Sequence, residues 1–193
     1  MKWLIASDIH GSAGCCRQLM QRFEDEKADK ILLLGDLLYH GPRNALPEEY
    51  ETGSVIALLN EKKDIITAVR GNCDAEVDQM VLEFPIMADS QTLFDGDLVI
   101  FATHGHMYDE YKLPPLKEMD VILCGHTHVP ALRDHGRYIY MNPGSVSIPK
   151  GGSEKSYMTL ENGIFTWKTL AGEAYRRFDI RSRREEEDEH GSV

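Results

Sequence analysis

This 193-residue chain has no apolar run approaching the roughly 18 residues that a membrane span requires. It also shows no signal-peptide core and no small-residue cleavage site after Lys2, so a cytoplasmic address without membrane attachment is expected. Basic residues are in deficit, 21 against 32 acidic, for a formal net charge of -11. That balance disfavours sequence-independent binding to long nucleic acids, where Lys and Arg must neutralise phosphates. It leaves acidic groups that bound cations could offset. Cysteine is sparse, and Cys15, Cys16, Cys73 and Cys124 fit no zinc knuckle or ribbon spacing. An intracellular chain keeps such thiols reduced, and all but Cys73 read as small buried hydrophobes. Repeats and an interdomain linker are missing too. Residues 1–180 therefore read as one domain, and at 42% hydrophobic and 27% charged residues it can bury a core.

What the chain does have is a set of five short strings rich in metal-ligand side chains. They are Asp8-Ile9-His10, Gly35-Asp36, Gly71-Asn72, His104, and Gly125-His126-Thr127-His128. Each follows an apolar run: Trp3 to Ala6, Ile31 to Leu34, Ile65 to Val69, Leu98 to Ala102, and Val121 to Cys124. Ligands of open α/β sheets bind outside the carboxyl ends of the strands. The pattern thus brings seven Asp, Asn and His side chains to one edge of one sheet. Packing alone does not explain five such strings in phase.

The first half alternates strand and helix, with strands expected at 2–7, 30–34 and 65–69 and helices running to about 25, over 53–60 and over 74–82. Residues 37–52 hold too many breakers for a helix, Gly41-Pro42 and Pro47 among them, and read as a flap. The second half is rich in hairpin signals, at Asp95-Gly96-Asp97, His135-Gly136 and Asn162-Gly163. A last edge strand is expected over 173–180. The architecture expected is an α/β sandwich of mixed sheets in four layers, α/β/β/α, not a doubly wound parallel fold. Residues 181–193 carry opposed blocks of Arg and Glu without apolar periodicity and are expected to form a disordered tail.

In extended backbone, residues i and i+2 face the same side. On that reading Asp8 and His10 can address one cation together, as can His126 and His128. The neighbouring glycines permit tight turns and close backbone approach. Oxygen and imidazole donors without thiolate suit Mn, Fe, Zn, Co or Ni better than Ca, and argue against a structural zinc site. No protein nucleophile is evident, since Ser7 and Ser12 read as turn or capping residues.

These five blocks, with Cys73-Asp74 after Asn72 and Gly105 after His104, resemble the signature of the calcineurin-like metallophosphoesterases, in order as far as Ser147. The stretches Gly41 to Pro47 and Asn142 to Lys150 are similar to those of the small bacterial phosphodiesterases of the YfcE type. The resemblance implies a single metallophosphoesterase domain hydrolysing a small phosphodiester. It implies two divalent transition-metal ions, Mn2+ first, with Fe2+, Ni2+, Co2+ and Zn2+ as alternatives. Asp8, His10, Asp36 and His128 would hold one ion; Asp36, Asn72, His104 and His126 would hold the other, with Asp36 bridging. The pair would generate a bridging hydroxide that attacks phosphorus in line.

The sequence departs from that pattern at Cys73. Many superfamily members carry there the His credited with protonating the leaving group, and a thiol is a weak donor. His106 is a candidate replacement acid, or else it orients His104 or another ligand. Asp74 would orient a neighbour or cap the next helix. Arg43 and Lys150 are candidates for holding the substrate phosphate, with ordinary surface charge as the alternative. His40 could approach substrate from the flap or simply be a surface residue; His135 and His190 read as solvated. Exposed hairpin edges permit a homodimer or tetramer. The rival reading is a weakly catalytic scaffold resembling the retromer subunit of the same fold, but a pure scaffold has no need of seven ligands.

Overall fold

The computed structural model describes residues 1–114 and 120–182. Residues 183–193, most of the expected tail, lie outside the described residues. Two mixed sheets pack face to face. The first has the order β11-β10-β9-β1-β2-β3, from β1 (Lys2–Ala6), β2 (Lys30–Leu33), β3 (Ile66–Ala68), β9 (Ser156–Glu161), β10 (Ile164–Thr169) and β11 (Ala174–Asp179). The second has the order β4-β5-β6-β8-β7, from β4 (Ser90–Asp95), β5 (Leu98–Thr103), β6 (Val121–Leu123), β7 (Ala131–Asp134) and β8 (Ile139–Asn142).

In the first sheet the parallel strands form one side out to the edge strand β3, with the antiparallel strands on the other; in the second they form the centre between antiparallel margins. β1, β2 and β3 run parallel in one, β5, β6 and β8 in the other. The inner residues of these strands are buried and mostly apolar because both faces are covered. Ile5, Leu32, Leu34 and Val69 of the first sheet meet Ile100, Ala102, Leu123 and Met141 of the second in a core between the sheets. Trp167 lies there fully buried and donates its indole N–H to the Asn142 carbonyl at 2.7 Å.

The outer face of the first sheet is covered by α1 (Ala13–Glu26) and α2 (Thr52–Asn60). α1 starts where the Ser12 hydroxyl accepts the Cys15 N–H, and it buries Cys16, Leu19, Met20 and Phe23, a spacing that forms one helical face. The outer face of the second sheet is covered differently. Among the described residues no helix lies there; the segment 105–114 does the covering. Tyr108 packs edge-on against Phe101, and the Tyr138 hydroxyl donates to the Glu110 carbonyl at 2.6 Å.

The sandwich of mixed sheets agrees with the architecture expected from sequence, but two expectations are corrected. The ligand strings converge from two sheets and not from one. Strands β1, β2 and β3 supply three of them, β5 and β6 the other two, because the core between the sheets aligns the carboxyl ends of both sets of parallel strands. The helix expected over 74–82 shrinks to one turn, α3 (Glu76–Gln79). Asp74 is occupied with distant backbone amides, and the Gln79 side chain binds the Leu82 and Phe84 carbonyls and the Ile86 N–H, which leads the chain out of the helix.

Glu26 ties α1 to the first sheet. Its carboxylate pairs with Lys2 at 2.8 Å and with Lys168, and accepts the Tyr157 hydroxyl at 2.9 Å. Burial alone would raise its pKa, but Lys168, Lys2 and Tyr157 outweigh that and pull it down to about 2. A carboxylate depressed in the folded state stabilises above its unfolded pKa and loses that contribution as pH falls through the folded value. Glu26→Gln is therefore expected to cost roughly 1–3 kcal/mol at neutral pH, with the difference from wild type shrinking towards pH 2. Urea titrations at neutral pH and near pH 3 measure both; an unchanged difference would remove the ion pairs as the cause.

Candidate metal centre

The loops leaving the parallel strands hold their residues in a rare conformation. Asp8, His10, Asp36, His126 and His128 all have positive φ, between 49° and 65°. For residues with a Cβ this region is sparsely populated and costs about 1–3 kcal/mol each. Backbone bonds between neighbouring loops hold it in place: Asp8 N–H to Gly35 O at 3.1 Å, His10 N–H to Asp36 O at 2.9 Å, and Gly11 N–H to Leu37 O at 2.9 Å. The pairing of Asp8 with His10 thus arises from a left-handed turn beyond β1, not from the pleat of an extended strand. Two glycines make room. A Cβ on Gly71 would meet Asp36 Oδ1 at 2.1 Å, and one on Gly125 would meet Ser7 Oγ at 1.9 Å.

Three imidazoles are oriented through their outer nitrogens. His10 Nδ1 lies 2.7 Å from the Tyr39 carbonyl, His104 Nδ1 2.6 Å from Leu34 O, and His128 Nδ1 2.6 Å from Ile148 O. A carbonyl can only accept, so each Nδ1 carries a proton and each ring turns Nε2 inward, the nitrogen that a cation would take. His10 Nε2 and His128 Nε2 then face each other at 3.3 Å. Asp8 Oδ1 lies 3.2 Å from His128 Nε2 and 3.6 Å from His10 Nε2, yet it is buried and accepts no hydrogen bond. A buried carboxylate oxygen without a hydrogen-bond partner, beside two imidazole nitrogens, fits a cation.

Asp36 stands between two groups of donors. Its Oδ1 accepts the Cys73 N–H at 2.8 Å, while Oδ2 lies 3.7 Å from His10 Nε2 and 3.5 Å from His104 Nε2. The donor atoms of Asp8, His10 and His128 fall within 4.8 Å of one another, and so do those of Asp8, Asp36 and His104. Asn72 Oδ1 is 3.1 Å from His104 Nε2. The His126 ring stands farther out, 5.1 Å from the His104 ring, with its backbone N–H donating to Asp8 Oδ2 at 3.1 Å.

Electrostatics follow this crowding. Burial acts to raise Asp8 and Asp36, but the neighbouring imidazoles overcome it and hold both carboxyls below their ordinary range. Burial acts to lower His104, and Asp36 and Asp8 overcome it and push that imidazole up to about 9. His126 and His106 are instead lowered, by burial and by the neighbouring His104. The Cys73 thiol is pushed up to about 12 by burial and by Asp36.

A cleft of about 430 Å³ opens over these side chains. Arg43 and Lys150 line it together with Asp36, Asn72, Cys73, His126 and His128. His106 is exposed and does not line it; its ring lies 5.4 Å from that of His104 and 6.2 Å from that of His126. His40 also stays outside the lining, packed between Tyr39 and Tyr50.

Of the supports behind the site, the sequence offered Asp74 as one that orients a neighbour or caps a helix, and it missed two others. Asp74, fully engaged, accepts the N–H groups of Gly71, Asp36 and Leu37 at 2.7–2.9 Å and so orients neighbours without capping a helix. The Ser145 and Ser147 hydroxyls both donate to the Asp8 carbonyl, at 2.9 and 3.0 Å. The Asn142 amide donates to Gly125 O at 2.7 Å and to Thr127 Oγ1 at 3.1 Å. The only signal for the serines and Asn142 was the polar stretch Asn142 to Lys150, which shows no periodicity of its own.

Residues 1–163 match the calcineurin-like phosphoesterase superfamily domain. The chain is 47% identical over 166 residues to the phosphodiesterase YfcE of Escherichia coli strain K12, covering 86% of this chain and 90% of that one. A solved structure of the E. coli phosphoesterase Yfce superposes with a TM-score of 0.89 at 44% identity, over 93% of this chain and 100% of that chain. Vps29 of Entamoeba histolytica, solved with zinc, has a TM-score of 0.57 at 18% identity, over 93% of this chain and 99% of its own, and so shares the fold alone.

Proposed function

The chain belongs to the calcineurin-like phosphoesterase superfamily, and on that premise we propose that it hydrolyses small phosphodiesters with two divalent transition-metal ions, Mn2+ foremost. The phosphodiesterase name of the E. coli relative supports the diester class. The observation that carries the two-ion reading is the position of Asp36 Oδ2, within 3.7 Å of inward-facing nitrogens in both donor groups. When bound, the ions would supply positive charge to the phosphoryl oxygens and acidify the attacking water.

The chain's own residues do the remaining work. His10, His104 and His128, locked by backbone carbonyls, present their Nε2 atoms inward and hold Asp8 and Asp36 in register. Asn72 and His126 complete the set on the side of the cleft. Arg43 and Lys150, on opposite loops, hold the substrate's non-ester oxygens. Water oxygen joins phosphorus as one ester P–O bond breaks; the departing oxygen takes the proton, leaving a monoester and an alcohol or phenol. Cys73, a poor donor, gives that departing oxygen little help, and His106 could give it only from beyond His104. The reaction belongs in the cytoplasm on a small soluble substrate. Among the described residues no helix is long and apolar enough to cross a membrane. No observation favours the scaffold reading, because the Vps29 likeness extends to the fold alone.

Reconstituted protein, freed of loosely held metal, is expected to contain two ions per chain and to cleave bis-p-nitrophenyl phosphate only when loaded. Elemental analysis beside a diester and monoester panel decides this. One ion at full activity, or diesterase activity after complete chelation, would sink the two-ion reading.

A further inference from the structure

The cleft over the ligands continues past Cys73. On the other side of that residue opens a second cavity, also of about 430 Å³, walled by Leu38, Tyr39, Tyr50, Ile56, Val77 and Val81. Cys73 lines both cavities, so they meet there. Their characters are opposed. The first holds Arg43, Lys150 and Asn72; the second is walled mainly by carbon. Val77 is 64% exposed, and Tyr39 and Val81 are each 42% exposed, around this one concavity. Apolar concavities with a few polar groups at one end are where small organic molecules bind.

The wall is also coupled to the metal ligands. Tyr39 offers its carbonyl to His10 Nδ1 at 2.7 Å, so the residue that orients a ligand also places an aromatic ring in the second cavity. The Tyr39 ring is braced by His40, at 4.8 Å between centroids, and His40 in turn by Tyr50 at 5.4 Å.

We propose that the second cavity is a substrate subsite that takes an aryl or similarly apolar ester group. The substrate class is then a phosphodiester with one apolar and one polar substituent. This rests on the phosphodiesterase reading. A diester carries two substituents on one phosphorus. With the phosphorus over the metal ligands, one substituent lies along the Arg43 and Lys150 side. The other crosses Cys73 into the apolar cavity.

The test uses metal-loaded full chain and two simple probes, phenylphosphonate and methylphosphonate, with binding measured by calorimetry. Phenylphosphonate is expected to bind about tenfold more tightly. That factor equals about 1.4 kcal/mol, which removal of roughly 55 Å² of apolar surface from water supplies. Val77→Asn with Val81→Asn, both neutral and on the exposed rim, should reduce the preference to less than about threefold. The same double variant should raise KM for bis-p-nitrophenyl phosphate while leaving kcat within about twofold, a split that general destabilisation would not produce. Equal affinity of wild type for both probes overturns the proposal. So does a preference that survives the double substitution. If the double variant instead changes the oligomeric state in sedimentation, the cavity belongs to a contact with a second copy and the proposal also falls. Failure of wild type to hydrolyse any diester would count against the functional reading, while the phosphonate comparison still decides the subsite.

Discussion

Asp36→Asn is expected to lower diester turnover by about a thousandfold or more, equivalent to roughly 4 kcal/mol of transition-state stabilisation. The loss of charge is one cause, since a carboxylate offsets the repulsion of two adjacent cations. Geometry supplies a second. The Cys73 N–H donates to Oδ1, so the single oxygen of an asparagine is claimed there. Its NH2 group then occupies the place of Oδ2, facing His10 and His104, where it cannot ligate a cation. The substituted side chain keeps its volume and lies beyond β2, so circular dichroism and thermal unfolding should be nearly unchanged. Metal content is measured on the same sample, and a fall to one ion or fewer per chain is expected. Near-normal turnover in a variant verified to carry two ions would refute the bridging role.

The second large effect concerns the leaving group. Cys73 stands where an imidazole would be the stronger acid, and its thiol is a weak hydrogen-bond donor. Rates should therefore fall steeply as the leaving alcohol becomes less acidic, with aryl diesters cleaved readily and alkyl monoesters poorly. General acids contribute about 10²–10⁴-fold, and a nitrophenolate forgoes most of that help. Cys73→His is expected to raise activity on alkyl esters more than on nitrophenyl esters. The ring has to be accommodated against Gly41, since even a Cβ there would lie 3.0 Å from the sulfur. A crystal structure or NMR titration of the new imidazole checks that it points into the cleft. His106→Ala separates the alternative: selective damage to alkyl esters would make His106 the acid. A wild-type rate that is flat across leaving groups would mean proton donation is intact, and the reading of Cys73 would fail.

Much of this molecule is legible locally. An apolar run followed by Asp-x-His or Gly-Asp marks both a buried parallel strand and what stands at its end, because strand burial and strand termination are short-range properties. That is why β1, β2, β5 and β6 lie within a residue or two of their expected bounds. It is also why the order and chemical type of the donor side chains can be read before any fold is known. The hairpins at Asp95-Gly96-Asp97, His135-Gly136 and Asn162-Gly163 are local in the same sense, since the glycines at 96, 136 and 163 adopt positive φ.

Other features were decided only by tertiary structure. A period of two says which face of a strand is buried, but not which sheet the strand joins, so convergence from two sheets could not be read. The left-handed turns at Asp8, His10 and Asp36 are held by bonds between loops that follow different strands. Conformational preference alone argues against them. The inward-facing Nε2 of His104 depends on the Leu34 carbonyl, and that of His128 on Ile148. Asp74 stands outside the helix because its carboxylate accepts three amides from two loops. Residue type, order and strand ends were thus determined by the sequence itself. Backbone handedness, tautomer and the meeting of Arg43 with Lys150 over one cleft were decided by partners far away in the chain, which no local pattern encodes.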